Sequence, residues 1–105
     1  MKSLVRIVYG LKLKADPENL TPLVWTAAIL RQMGRSRHAL DTLTSVLAQD
    51  PTVAAAHAGI AMIRMDRGDL NEARREIERA ATDRNDAALD EARSRLLKLE
   101  AASLR

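Results

Sequence analysis

Residues 13–17, LKADP, are restated at residues 47–51 as LAQDP, and the interval between the two decides the fold. Leu13, Asp16 and Pro17 recur as Leu47, Asp50 and Pro51. Ala27 and Ile29 recur as Ala61 and Ile63, and Gly34 and Ala39 as Gly68 and Ala73, every pair 34 residues apart. Several of these are Gly, Pro or small residues, whose places are dictated by backbone geometry and close packing rather than by surface chemistry. A period of this length marks a helical hairpin stacked on copies of itself.

The local signals fall where the period requires them. Residues 20–33, LTPLVWTAAILRQM, read as a helix with Thr21 as N-cap, Pro22 at its first position and Gly34 at its end. Residues 36–48 form its partner, with Ala39, Leu40, Leu43, Val46 and Leu47 on one face. Asp50-Pro51 stops that helix, because Pro offers no N–H and disfavours helix in the residue before it. The second hairpin is expected over residues 53–66 and 70–82, turning at Gly68. Asp69 and Glu72 are read as a capping box and Ala73, Ile77, Ala80 and Ala81 as its buried stripe. A last helix over 87–103 carries Leu89, Ala92, Leu96, Leu99 and Ala102 or Ser103 at three- and four-residue spacing, with Glu91 and Arg95 as a supporting pair, and is expected to cap the stack. A first helix over 3–14, with Val5, Tyr9 and Leu13 at its core positions, amounts to half a repeat. The sequence therefore predicts an all-α single domain over residues 1–105, built of antiparallel helix-turn-helix repeats: a half-repeat helix at 3–14, repeats at 18–51 and 52–85, and a capping helix at 86–105.

Composition agrees. Ala, Leu, Arg and Glu dominate, Phe is absent, and Trp25 and Tyr9 are the only aromatic residues, so a core must come from aliphatic side chains and close Ala contacts, which suits helices better than sheets. The absence of Cys excludes a disulfide framework and thiolate metal sites. The net charge of +3 is uneven: residues 1–38 hold seven Lys or Arg against two acids, and residues 39–105 hold ten against twelve. That asymmetry points to an acidic partner near the N-terminal end. Arg6 interrupts the first apolar run and no small-residue cleavage site follows, so a signal peptide is not expected, and no apolar stretch is long enough to insert in a bilayer. The chain reads as a soluble, cytoplasmic protein, or a periplasmic one if it is an excerpt of an exported protein, and its Ala- and Arg-rich composition as bacterial.

With Ala27, Gly34, Ala39 and Pro51, then Ala61, Gly68, Ala73 and Asn85, at the small-residue, turn, early and closing positions of two hairpins, residues 3–85 resemble the tetratricopeptide repeat family. DRGDLNEA, residues 66–73, is the most typical stretch. The aromatics usual in such repeats are replaced: Leu23 and His57 stand where Trp is common, Leu30 and Arg64 where Tyr is common. Lys12 and Asn85 depart from the small residue and the Pro expected at their places. The resemblance implies about six helices wound as a short right-handed superhelix, with the first helix of each hairpin lining a concave groove that holds a peptide or helix of a partner protein. The groove residues it implies are Thr21, Val24, Trp25, Ala28 and Arg31, then Ala55, Ala58, Gly59, Met62 and Met65. Val24, Ala28 and Gly59 stand where a clamp for a C-terminal carboxylate would need polar side chains, so that ligand is not expected.

Each candidate has a structural alternative. Met62 and Met65 either adapt to an apolar partner or fill gaps against the last helix. Trp25 is read first as packing on the first helix near Tyr9, with a binding hot spot as the alternative. His57 is placed at a packing position and His38 on the outer side of its helix, and neither has an acid or second His at ligand spacing, so no metal, cofactor or catalytic role is expected. Arg31, Arg35, Arg37 and His38 gather at the first turn, yet without interleaved aromatics or a recognition helix they read as a solvated face rather than a nucleic-acid site. The predicted function is that of an adaptor or chaperone-like binding module. The alternative is a scaffold segment that self-associates through its end helices.

Overall fold

The computed structural model describes residues 20–80 and 86–104. The helix expected over 3–14 lies outside the described residues, as do Tyr9, Ala81 and Asn85. Five α-helices and no strand occur among the described residues: α1 (Thr21–Gln32), α2 (Ser36–Gln49), α3 (Ala54–Asp66), α4 (Leu70–Arg79) and α5 (Ala87–Ser103). The chain divides into two compact units, residues 1–51 and 52–105, and the border falls where one repeat was expected to give way to the next. No described helix is long and apolar enough to cross a membrane.

In the first unit α1 packs on α2. Leu23, Ala27 and Leu30 of α1 and Ala39, Leu43 and Val46 of α2 are buried, a spacing of three and four residues on each helix. Thr42 is buried with them and keeps its hydroxyl satisfied by donating to the His38 carbonyl at 2.9 Å. Asp50 ends α2 in an extended conformation before Pro51, as its sequence requires.

In the second unit α3 packs on both α4 and α5, and α4 packs on α5. Ala58, Ala61 and Met65 from α3, Ala73 and Ile77 from α4, Ala80, and Leu89, Ala92 and Leu96 from α5 form one core cluster, with Met62 and Leu99 packed against it. Six of these nine core residues are not large aliphatics but Ala or Met, which lets the helices approach closely. Arg95 is not paired with Glu91. Its guanidinium donates to the Met62 carbonyl at 3.4 Å and meets the Asp66 carboxylate at 2.9 Å, so α5 grips the last turn of α3, where the carbonyls point outward and a cation is favoured. Arg74 of α4 pairs with Glu100 of α5 at the other end.

The two hairpin turns are the same motif. Gly34 donates to the Arg31 carbonyl at 3.0 Å and Arg35 to the Leu30 carbonyl at 2.8 Å; Gly68 donates to Met65 at 3.0 Å and Asp69 to Arg64 at 2.9 Å. This double bond pattern closes a helix only with a left-handed residue, and the two glycines have φ of 78° and 79°. A Cβ at either position would meet nothing within 4 Å, so a substitution there costs backbone strain alone. Gly68→Ala is expected to destabilise the protein by about 1–2 kcal/mol, and Gly68→Asn by less, in chemical denaturation. Equal stability of all three would mean that the turn is not left-handed.

The helix starts differ from expectation. Leu20, not Thr21, is the N-cap of α1, and Pro22 lies in the first turn. Asp69 caps α4 by position but accepts no bond through its side chain, and Glu72 is held by Arg75 rather than closing a capping box. The cap the sequence reading missed is Asp86, whose carboxylate accepts the Leu89 amide at 3.1 Å and opens α5.

Candidate functional site

α1 contains one charged residue, Arg31. Every exposed residue of the α1 segment, Thr21, Trp25, Ala28, Ile29, Gln32 and Met33, is uncharged. Trp25, Ile29 and Met33 follow one another at four-residue spacing and are 68%, 58% and 53% exposed. They form an apolar stripe about 12 Å long on the side opposite Leu23, Ala27 and Leu30. A helix apolar on both sides ordinarily has a partner on both. The repeat supplies a comparison: Ile63, the equivalent of Ile29 one period later, is fully buried. The exposed faces of α4 and α5 are different in kind, carrying Arg74, Arg75, Glu78 and Arg79, then Asp90, Glu91, Arg93 and Lys98.

The residues expected to line a groove separate into two groups. On α1, Thr21, Trp25 and Ala28 are exposed and Val24 and Arg31 are half-buried. On α3, Ala55, Gly59 and Met62 are half-buried, whereas Ala58 and Met65 are 2% and 4% exposed. Ala58 and Met65 are consumed by the core shared with α5, so they offer no surface to a partner. Met62 is packed against the same core with its sulfur 3.8 Å from the Arg95 guanidinium. The methionines thus fill space against the last helix. Trp25 reverses its first reading, since its ring is exposed rather than packed away. Ile29 and Met33 were missed as surface residues, although the four-residue spacing from Trp25 in a helix with one charge was the signal that could have found them.

His57 and Glu76 meet across the second hairpin. His57 Nδ1 lies 2.7 Å from Glu76 Oε1, both side chains being buried, and Glu76 Oε2 accepts from Arg79 at 3.0 Å. The spacing of nineteen residues hid this pair. Glu76 falls on the buried stripe of α4 between Ala73 and Ile77, a place where a carboxylate needs a partner. His57, standing where the repeat usually has a large aromatic, supplies it. No group of three or more His, Cys, Asp or Glu among the described residues is placed to hold a metal ion.

Two helical hairpins closed by one recurring glycine turn, with an added helix completing the second core, define a helical-repeat protein. The model of the tetratricopeptide repeat family matches residues 30–96, more than half of the chain, and the chain belongs to that family. Repeats of this family generally mediate protein–protein interaction. No curated protein and no solved structure matches the chain significantly.

Proposed function

We propose that this protein is an interaction module that seats an apolar segment of a partner on the uncharged face of α1, centred on Trp25. The observation that carries the reading is the 68% exposure of the single Trp at the head of an apolar stripe. Trp is the side chain that most often dominates binding energy when a partner desolvates it, and an exposed Trp flanked by Ile and Met offers large area at low entropic cost. The α3 half of the expected groove drops out of the proposal, because its apolar side chains already stabilise the fold. No turnover is invoked: His57 and Glu76 are engaged with each other and with Arg79.

Trp25→Ala separates binding from folding. The variant is expected to lose the proteins that the wild type captures from its host extract, with a thermal midpoint within a few degrees of wild type, since exposed substitutions change stability by about 0.5 kcal/mol or less. Retained capture would count against the reading.

One observation favours a second reading, self-association into a scaffold. Leu97 on α5 and Leu104, the residue that caps its C-terminal end, are 67% and 88% exposed and lie seven residues apart with Ala101 between them. Sedimentation at increasing concentration decides it: a defined dimer that Leu97→Asp dissolves supports it, and a monomer throughout removes it.

A further inference from the structure

We infer that, with no partner bound, the uncharged face of α1 is covered by the same face of a second copy of the chain, in an antiparallel twofold pair centred on Ile29. This rests on the reading of α1 as a docking face and names what competes for it. A twofold interface sets each residue near its axis against its own counterpart, so a charge there meets a like charge. Each other described helix exposes charge: Arg37 and Asp41 on α2, Asp66 on α3, and the clusters on α4 and α5. α1 exposes none, and its single charge, Arg31, is half-buried. Among the described helices it is the one whose exposed face meets itself without repulsion.

The spacing of the side chains matches the symmetry. Thr21, Trp25, Ile29 and Met33 form one ridge of the helix at four-residue intervals, and the Met33 amide still donates to the Ile29 carbonyl at 3.0 Å, so the ridge keeps its helical course to the end. Trp25 and Met33 stand equally far from Ile29. Reversed and laid beside itself, the ridge brings Ile29 to the partner subunit's Ile29 and Trp25 to the partner subunit's Met33, an aromatic ring against a thioether, which is a favourable contact. The neighbouring ridge, Val24, Ala28 and Gln32, is low at its middle, where exposed Ala28 leaves room for the partner subunit's Ile29. The second hairpin lacks these features: one period later Gly59 stands for Trp25, Asp66 for Gln32 and Arg67 for Met33, and Ile63 is buried. Two faces of this size cover less than about 1,200 Å² together, the class of weak and transient interfaces, so pairing is expected at chain concentrations on the order of 0.1–1 mM and yields to a tighter partner.

Sedimentation of the full chain from about 0.01 to 1 mM tests the pair, with the emission of Trp25, the only Trp, followed over the same range. A monomer–dimer equilibrium is expected, in which Trp25 shifts to the blue and becomes less accessible to acrylamide as the dimer fills. Ile29→Asp and Ile29→Lys, both at an exposed position, are each expected to weaken dimerisation at least about tenfold, because like charges then meet on the axis. An equimolar mixture of the two variants is expected to restore it, since opposite charges meet there instead. Leu97→Asp is expected to leave it unchanged. A dimer that both Ile29 variants leave intact, or a mixture that pairs no better than either variant alone, would overturn the inference. A monomer throughout, with Trp25 open to acrylamide, would overturn it too and leave α1 as a docking face for another protein. Trp25 already shielded in the dilute monomer would overturn both readings, since another part of the chain then covers the face. The expected pairing together with unchanged capture by Trp25→Ala would keep the pair and remove the docking reading.

Discussion

Leu89→Ala is expected to lower the unfolding free energy by about 2–5 kcal/mol, the range for truncating a buried leucine. Leu89 is fully buried in the core shared by α3, α4 and α5, and its amide is the one that Asp86 caps, so its position is fixed through both side chain and backbone. The cavity left behind cannot close easily. Ala58, Ala61, Ala73, Ala80 and Ala92 in the same cluster carry only a methyl group fixed to the helix backbone, and none can swing into the space. Met65, Ile77 and Leu96 are the cluster members whose side chains can adjust, Met65 most freely, and their adjustment sets how far the cost falls below the upper value. Urea denaturation followed by circular dichroism measures the loss. Leu97→Ala is the control: its side chain is exposed on the same helix and its truncation is expected to change stability by about 0.5 kcal/mol or less. A Leu89→Ala loss no larger than that of Leu97→Ala would show that α5 is not docked on the second hairpin.

The second large effect is expected at the His57–Glu76 pair. Glu76→Ala removes the acceptor of a 2.7 Å contact under the hairpin and strips Arg79 of its carboxylate. The cost of leaving a buried polar group without its partner is about 1–3 kcal/mol, most of it desolvation no longer repaid. The asymmetry of that penalty gives the sharper expectation. Replacing both residues by Leu removes donor and acceptor together and fills the space with apolar volume, so the double variant is expected to be more stable than Glu76→Ala. A double-mutant cycle over His57→Leu and Glu76→Leu is expected to give a coupling of about 0.5–3 kcal/mol, as for other residues in direct contact. A coupling near zero would mean that the two side chains do not depend on each other, and the geometry of the hairpin would need another explanation.

Several elements were legible because they are local. The helix over 87–103 appears with those bounds, and the two hairpins begin and end within a residue or two of their expected places up to Arg79. The glycine turns could be read because a left-handed residue closing a helix is a property of a few consecutive residues, and Gly34 and Gly68 supply it without a steric cost. The Asp50-Pro51 stop has the same local origin. Caps were less legible. Thr21, Asp69 and Asp86 are all suitable types, and of the three only Asp86 caps its helix through its side chain.

By itself, then, the sequence determined the repeat period, the helices, their turns and the membership of an interaction-repeat family. Only the tertiary structure decided which apolar faces are spent and which are left open. Ile29 and Ile63 occupy the same position of the repeat, yet one is 58% exposed and the other fully buried. Ala58 and Met65 passed for groove residues by register and belong to the core. Arg95 chose the carbonyl and carboxylate at the end of α3 over the Glu91 on its own helix. The physical reason is the same in each case. Periodicity places side chains on a face of a helix, but burial and pairing are set by what another part of the chain brings against that face, at separations that no local pattern records.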